Sequence, residues 1–439
     1  MTELMADVRA QKDRLPEIYG AVDFDAPPVR FTTSMADSTT FTKNTSRRAE
    51  VLARQDLVDV MRAYTMRGDP TADAYAALMT KGYRLSELIT MLKTACAEDL
   101  DAVANAPDEL KDLIHDMERV PDWLDIELAN EGARYERNMM ANLTPYVERG
   151  SFIGTYLNKY SALPMALTGA LSDKSAKRRI FETSNFVMQT TLPGGLTRHS
   201  EGFKAAAMVR MMHSMVRINL LTRGKWDSAE YGIPIPQVDQ MPAGLFFIYT
   251  VAKRLVRKGR SEFTPAERAQ CEFARYRCFL LGLPEVLLPA TPAEIIDIFD
   301  ARQATLKNVY DEDICAPLIR ATMNANLAHD DKVATRIRQA MSISLGKVFF
   351  MQYFASDPAI AKKINFALTP ADRMRNLVSG PLIAIRMATH GVAANLPVAR
   401  QISDRILISR MKTHLSRIGH AEFVSDGSQY RPRGAAANQ

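Results

Sequence analysis

The sequence predicts an all-α protein with one large helical domain, and three observations lead to this fold class. Helix start signals recur: Thr264–Glu267 and Thr291–Glu294, both TPAE, combine an N-cap threonine, a proline at the first helical position and a glutamate that can complete a capping box. Apolar residues recur with helical spacing from Arg47 onward. Sustained period-two alternation is absent, as is an Asn-Gly hairpin signal between apolar runs.

The helical pattern divides the chain into three regions. Residues 1–48 are expected to form a short helix, over residues 1–20, and an extended arm rich in serine, threonine and proline. Residues 49–422 are expected to form a single domain of roughly a dozen or more helices. Residues 423–439 are polar and predict a disordered tail. Further helix starts are predicted at Asp108, Asp122, Ser172 and Thr369.

Composition and charge are those of a protein with a large core. Of the 439 residues, 47% are hydrophobic and 24% are charged. The net charge of +6 is spread along the chain, and the densest basic run is Lys253–Arg260 (KRLVRKGR). A solvated helix end explains this run, and contact with anionic lipid is the alternative. Since no aromatic residue interleaves it, we predict no nucleic-acid partner.

The cysteines and the N-terminus bear on the compartment. Cys96, Cys271, Cys278 and Cys315 form no CxxC pair, so neither a zinc site nor a redox motif is predicted, and all four are interpreted as reduced packing residues. The first twenty residues contain acids and no apolar core run, so a cytoplasmic location is expected. The longest apolar runs fall far short of the roughly 20 residues that cross a membrane, which leaves only peripheral membrane contact open.

The segment with the clearest chemical pattern is Phe203–Thr222 (FKAAAMVRMMHSMVRINLLT), which predicts a helix capped by Ser200 and ended by Gly224. Arg210, His213 and Arg217 fall on one face of this helix, within roughly 60° of arc, between apolar flanks. One interpretation is a core histidine bonded to a carbonyl, with the arginines paired to acids elsewhere. The other is a flat dianionic cofactor with a metal at its centre, ligated by the imidazole and held by the guanidiniums.

A second polar segment precedes this helix. Lys174–Thr191 (KSAKRRIFETSNFVMQTT) predicts a helix that ends at the following Leu-Pro-Gly-Gly, and the turn is expected to return it towards His213 as an antiparallel neighbour. Arg179 and Thr183 lie one helical turn apart, with Glu182 one step aside. Either this is an exposed charged face, or these three side chains face the cofactor. Trp226–Gln237 then predicts a rigid, proline-rich loop.

Taken together, these segments resemble the latex-clearing-protein family of rubber oxygenases, which includes the fungal oxygenase of mycophenolic acid biosynthesis. The resemblance covers about residues 90–350. It is carried by Arg179-x-x-Glu182-Thr183, by Arg210-x-x-His213-x-x-x-Arg217, by Trp226 with the proline-rich loop, and by the flanking blocks Val120–Trp123 and Arg275–Phe299.

The resemblance implies an all-helical fold with a globin-like core around haem b. It implies that His213 is the axial iron ligand, and that the haem pocket is lined by Arg179, Thr183, Arg210 and Arg217. Two departures from the family are visible. Rubber-cleaving members carry a lysine where this chain has Glu182, and a threonine and a histidine where it has Ala243 and Leu245.

The predicted function is therefore a haem-b-dependent oxygenase that uses dioxygen at a carbon–carbon double bond of a small apolar substrate, terpenoid or lipid-like. Arg179, Glu182 and Thr183 are the predicted catalytic residues, with Glu182 as general base if burial raises its pKa. His213, Arg210, Arg217 and Arg179 are the predicted cofactor-binding residues. The alternative is a helical lipid- or partner-binding protein that retains the fold without catalysis.

Overall fold

The computed structural model describes residues 2–168, 175–353 and 367–418, and these fold into α-helices and short 3-10 turns joined by loops. Within those ranges the extended pairing is limited to two isolated bridges, Phe31 with Leu306 and Thr39 with Lys307. The all-α prediction is confirmed. The globin-like arrangement of the core stays a prediction. The predicted helix start at Ser172 and the predicted tail from residue 423 lie outside the described residues.

The chain folds as two compact units. Unit 1 comprises residues 1–132 and 194–309, and unit 2 comprises residues 133–193 and 310–439. The predicted division into an arm, one helical domain and a tail stays a prediction.

Unit 1 contains seven early helices, the first half of an eighth and five later ones. They are α1 (Thr2–Arg14), α2 (Pro16–Tyr19), α3 (Thr45–Leu52), α4 (Gln55–Thr65), α5 (Pro70–Ala77), α6 (Leu85–Ala97), α7 (Asp108–Glu118), α8 (Ile126–Asn142), α12 (Glu201–Thr222), α13 (Ser228–Tyr231), α14 (Gln237–Arg257), α15 (Pro265–Leu280) and α16 (Pro292–Thr305). Short 3-10 turns span Leu78–Lys81, Leu100–Ala102 and Glu285–Leu287. The central helix is α12, which packs against α2, α5, α6 and α15.

Within its described residues, unit 2 contains the second half of α8 and seven further helices. They are α9 (Thr144–Ile153), α10 (Lys159–Thr168), α11 (Ala176–Thr191), α17 (Glu312–Asn324), α18 (Val333–Tyr353), α19 (Pro370–Ala393) and α20 (Pro397–Ile418), with a 3-10 turn over Gly154–Leu157. The main packing partners are α9 with α18 and α10 with α17. Phe350, Ile319 and Ile180 are fully buried in its core.

The cap signals explain most helix starts. Thr264, Thr291 and Thr369 each accept a hydrogen bond from the backbone N–H three residues on, with a reciprocal carboxylate completing the capping box. The predicted start at Asp122 is wrong, because α8 begins at Ile126 and Asp125 accepts the first-turn hydrogen bond from the Leu128 N–H. The predicted loop after Trp226 contains the short helix α13. All four cysteines are buried and free, as predicted.

Alanine substitutions at two glycines inside helices test the packing, because the added methyl group would be crowded at one position and would have open space at the other. A Cβ at Gly132 on α8 would overlap the Ala269 carbonyl oxygen on α15 and lie 2.8 Å from Phe273 Cβ, whereas a Cβ at Gly380 on α19 would meet nothing within 4 Å. We expect Gly132→Ala to lower the free energy of unfolding by about 3 kcal/mol or more. Gly380→Ala should raise it by about 0.5–1 kcal/mol, since alanine loses less backbone entropy on folding. Urea denaturation of both variants measures the two signs, and equal effects would contradict the packing of α8 on α15.

Candidate functional site

The helix α12 forms as the sequence predicts. The Ser200 hydroxyl accepts a hydrogen bond from the Phe203 N–H at 3.1 Å, and Gly224 follows the last turn with a φ of 63°. Arg210 and Arg217 are almost completely buried, and His213 between them is half-buried. Burying two permanent cations on one helix requires compensating charge close by.

Asp69 supplies that compensation for Arg210. The Arg210 Nε and Nη2 groups donate to the two Asp69 carboxylate oxygens at 2.7 and 2.8 Å, and Nη2 also lies 2.8 Å from Asp116 Oδ2. Burial opposes both charges, but the Asp69 and Asp116 carboxylates outweigh it and raise the pKa of Arg210. The Arg210 guanidinium likewise outweighs burial and lowers the pKa of Asp69. Both groups are therefore ionised at neutral pH.

Arg217 is held by Asp73 and by the backbone of the proline-rich loop. Its Nη1 group pairs with Asp73, while Nε and Nη2 donate to the carbonyl oxygens of Pro234 and Ile235 at 3.1 and 2.9 Å. Ile235 has a φ of 51°, a conformation that a β-branched residue rarely adopts. The Arg217 contacts to both carbonyls help to hold the loop in this strained conformation.

Glycines make room for these charge pairs. A Cβ at Gly68 would overlap the Tyr19 hydroxyl and lie 2.9 Å from Arg217 Nε. A Cβ at Gly282, where φ is 80°, would lie 2.6 Å from Asp69 Oδ2 and 2.9 Å from Arg210 Nε. The acid pairing of both arginines matches the first alternative that the sequence left open. The predicted contact of the arginines with cofactor carboxylates stays a prediction. Each guanidinium would then have to bind a cofactor carboxylate and its acid partner in the chain at the same time.

His213 ends a relay of side-chain amides that begins at a backbone carbonyl. The Gly68 carbonyl oxygen accepts from Gln237 Nε2 at 2.9 Å, Gln237 Oε1 accepts from Gln240 Nε2 at 3.1 Å, and Gln240 Oε1 lies 2.9 Å from His213 Nδ1. A carbonyl can only accept, so it orients each amide in turn and leaves an oxygen facing the imidazole. In this relay His213 Nδ1 carries a proton and donates it to Gln240 Oε1.

The second predicted group lies on α11 of unit 2. Arg179 Nη1 donates to Glu182 Oε2 at 3.0 Å, and Arg178 Nε lies 3.6 Å from Glu182 Oε1. Glu182 is buried, and burial raises its pKa even though the two arginines oppose this shift. Thr183 is exposed. Arg179 and Glu182 are thus brought together, Thr183 points away from their contact, and the predicted approach of this segment to His213 stays a prediction.

Sequence reasoning missed a second buried carboxyl group in unit 2. Glu148 on α9 accepts a hydrogen bond from the Ser184 hydroxyl at 2.8 Å and lies 3.9 Å from His414 Nε2. Burial raises the pKa of Glu148 to about 7 and lowers the pKa of His414 to about 4. Both line a cavity of about 340 Å³, with Asn142, Arg149, Phe181 and Gln339. A lone glutamate in a helical segment carries no signal of burial, so this group was not predictable.

The remaining predicted residues are placed as follows. Leu245 is buried and Ala243 is exposed on α14. In the basic run, Arg260 pairs with Glu267 at 2.6 Å and Lys253 donates to the Tyr249 hydroxyl at 3.1 Å. Its other cations, Arg254, Arg257 and Lys258, are exposed. Within the described ranges no three or more His, Cys, Asp or Glu side chains are grouped to hold a metal ion, and no helix is long and apolar enough to cross a membrane.

Part of this chain matches a known protein family. Residues 145–384 match the family described as "ER-bound oxygenase mpaB/B'/Rubber oxygenase, catalytic domain". This match spans more than half of the chain. The chain belongs to this family. The mpaB/rubber oxygenase family consists of oxygenases, so the protein is an oxidoreductase, and the resemblance drawn from the motifs is confirmed.

A solved structure agrees with this assignment at the level of the fold. The structure titled "Structure of Latex Clearing Protein LCP in the closed state" is similar with a TM-score of 0.51 and 17% sequence identity, over 79% of this chain and 91% of that chain. A search of curated proteins found no match. The mpaB/rubber oxygenase match includes α11 and α12, which carry the predicted site residues.

The buried pair of Arg217 and Asp73 predicts a large loss of stability when one charge is removed. Asp73→Asn keeps the size of the side chain and leaves the Arg217 cation buried without a counter-charge. We expect the free energy of unfolding to fall by about 3–5 kcal/mol. The control is Asp108→Asn, whose partner Lys111 is 2.8 Å away on the surface, and this change should cost little, because water screens an exposed pair. Equal losses in urea denaturation would show that the buried pair does not hold α12.

The raised pKa of Glu148 predicts a pH-dependent stability. The folded state keeps the Glu148 proton up to a pKa of about 7, whereas an ordinary glutamate releases it near 4.5. The folded state therefore binds more protons between these values, and the free energy of unfolding falls as pH rises through this window, by roughly 3 kcal/mol. The lowered pKa of His414 has the opposite effect below its ordinary value of 6.5.

Glu148→Gln removes the first contribution and leaves that of His414 in place. Its free energy of unfolding, relative to the parent, should rise by roughly 3 kcal/mol from pH 4.5 to pH 7 and stay constant above. The exposed change Glu312→Gln in the same unit is the control. A pH-independent difference for Glu148→Gln would mean that the carboxyl group titrates normally.

Proposed function

We propose that this oxygenase binds haem b through His213 and uses dioxygen at a carbon–carbon double bond of a small apolar substrate, terpenoid or lipid-like. The observation that carries the proposal is the relay from the Gly68 carbonyl to His213 Nδ1. Metal-bound histidines donate their second ring N–H to a fixed acceptor, which sets the tautomer and raises the basicity of the ligating nitrogen. Gln240 stands in this position.

The residues around His213 fit a haem group. Because a porphyrin would itself supply four nitrogens to the iron, the chain would need to supply one imidazole, that of His213, rather than a cluster of ligands. The neighbouring Met211 and Met215 are buried and apolar, and methionine adapts its shape to a flat ring. Ser214 and Val216 are buried as well, so the helix offers an environment from which water is largely excluded.

The two arginines of α12 differ as candidates for binding the haem propionates. Arg217 is fully buried and its donors meet Asp73 and two carbonyls, so a structural role suits it best. Arg210 shares its Nη2 group with Asp116, whose side chain is 36% exposed. A propionate could replace Asp116 there while Asp69 stays in place. Arg210 is therefore the better candidate, and Arg179 is the proposed cation on α11.

When bound, haem iron supplies the activation of dioxygen, and the chain supplies the remaining functions. Gln240 keeps the His213 ring in one orientation. Glu182 is the proposed base: its raised pKa suits it to accept a proton from the carbon next to the double bond, and the Arg179 guanidinium holds its Oε2 atom in place. Thr183, whose side chain is exposed, is the proposed hydrogen-bond donor to the substrate.

The substrate is proposed to be small and apolar rather than a long polymer. Ala243 and Leu245 replace the polar residues of rubber-cleaving members, and α12 is rich in methionine. A cytoplasmic enzyme would obtain such a substrate from a membrane surface, where the exposed Arg254, Arg257 and Lys258 could meet anionic lipid.

Haem titration of the full chain tests the proposed cofactor and ligand. The parent should develop a Soret band with one equivalent of haemin, and His213→Ala should lose it, because the axial nitrogen is removed. His199→Ala is the matched control, since His199 is exposed, has a φ of 67° and should be dispensable. A parent in which added haemin keeps the spectrum of free haemin would contradict haem binding, and a normal band in His213→Ala would contradict the ligand assignment.

The proposed base is tested by Glu182→Gln, which keeps the side-chain volume and removes the charge. We expect turnover to fall about 100-fold or more while haem content is unchanged, because the proton acceptor is lost. Dioxygen consumption with a panel of unsaturated lipids and terpenoids is the assay. Glu312→Gln, an exposed change in the same unit, should match the parent. If Glu182→Gln also turned over at the parental rate, Glu182 would be a structural partner of Arg179 only.

A further inference from the structure

Two helices at the end of unit 2 expose an unusual number of large apolar side chains. On α19, Leu377 is 69% exposed and Ile385 is 63% exposed. The same helix also exposes Met374, Val378, Leu382 and Val392. Single exposed apolar residues are ordinary, whereas a contiguous set marks a surface that binds a membrane or another protein.

These side chains form one stripe along α19. Their spacings of three, four and seven residues place them within roughly 140° of the helix circumference. The opposite side carries Asp372, Ser379 and Ile383, which are buried. The helix therefore turns its buried side towards the core of unit 2 and its apolar stripe outward.

The first turns of α20 continue this pattern. Val398, Ile402 and Ile406, each four residues apart, are exposed by 75%, 55% and 42%. Leu407, Met411 and Leu415 on the same helix are buried in the core. Leu396, in the short connection between the helices, is also exposed. We call the exposed apolar residues of α19, of this connection and of the first turns of α20 the outer face.

Apart from two acids that pair inward, the charged side chains of α19 and α20 are cations. The two helices contain two acids, and both are engaged inward: Asp372 pairs with Lys347 at 2.9 Å and Asp404 with Arg137 at 2.7 Å. Their cations are Arg373, Arg375, Arg386, Arg400, Arg405, Arg410, Lys412 and Arg417. On α19 the helical angle puts Arg373 at one edge of the stripe and Arg386 at the other. Arg375 also falls at that second edge, but its guanidinium lies 3.5 Å from Asp372 Oδ1 and is engaged inward. Arginines at the edges of an apolar stripe can keep their guanidiniums at lipid headgroups while the stripe enters the acyl region.

The same charge disfavours a second copy of the chain as the occupant. A two-fold contact would bring the outer face against itself, with its arginines facing like charges. An anionic bilayer instead offers the apolar interior and the opposite charge together. We propose that the outer face docks this oxygenase peripherally on a membrane that contains anionic lipid. The proposal rests on the membrane contact within the proposed function, and it assigns that contact to α19 and α20 in place of the exposed cations of α14.

Sedimentation of the full chain with vesicles tests the proposal. The parent should bind vesicles of phosphatidylcholine with phosphatidylserine, and less so vesicles of phosphatidylcholine alone. Leu377→Ser with Ile385→Ser should weaken binding about tenfold or more, because two apolar side chains are lost from the interface. The matched control is Val120→Ser with Val286→Ser, two exposed valines of unit 1, which should bind as the parent does. Arg373→Gln with Arg386→Gln should weaken binding to anionic vesicles and reduce its dependence on salt.

Three outcomes would overturn the proposal. The first is a parent that sediments with neither kind of vesicle. The Leu377→Ser, Ile385→Ser variant could bind normally while neutralisation of Arg254, Arg257 and Lys258 abolishes binding, which would place the contact on α14 instead. Light scattering without vesicles could show a dimer that the Leu377→Ser, Ile385→Ser variant dissociates, which would make the outer face a subunit interface. Haem binding, read from the Soret band of the same samples, reports separately on the proposed cofactor.

Discussion

The buried charge pairs between α5 and α12 are the constraint on which unit 1 depends. Asp69 and Asp73 lie one turn apart at the start of α5, and they neutralise Arg210 and Arg217 on α12. A charge without its partner at these depths is costly, whereas the complete set satisfies both sides. The four residues therefore fix α12 in place. The same contacts reach the proline-rich loop through Arg217, and the loop leads into the helix that carries Gln237 and Gln240.

The contacts of Arg210 and Arg217 differ in kind from those of His213, although the three residues form one motif in the sequence. Arg210 and Arg217 lie on the same face as His213, yet their contacts are with acids and carbonyls of the chain itself. These contacts fix the position of α12. His213 differs, because its Nδ1 atom faces an amide oxygen whose orientation is set through two glutamines by the Gly68 carbonyl. The two arginines thus stabilise the position of α12, and the two glutamines stabilise the orientation of the His213 ring.

Local signals in the sequence were sufficient for the helices and for the family, and insufficient for the partners of the site residues. The Ser200 cap, the TPAE boxes and the spacing of α12 are short-range features, and the structure contains them. Asp69 is 141 residues from Arg210, and Asp73 is 144 residues from Arg217, so no spacing rule links them. Gln240 and Glu148 likewise acquire their roles from distant packing. The error at Asp122 has a local cause, since several acids precede α8 and only Asp125 accepts the first-turn hydrogen bond.

The orientation of His213 can be measured without cofactor or substrate. Two-bond nitrogen–proton correlation spectra of the histidine-labelled full chain report which ring nitrogen carries the proton, and His213→Ala assigns the signal. The relay predicts a protonated Nδ1 in the parent, and a mixture of both tautomers in Gln240→Leu. A parent protonated on Nε2 alone, or a Gln240→Leu spectrum identical to that of the parent, would contradict the claim that Gln240 fixes a proton of this histidine on Nδ1.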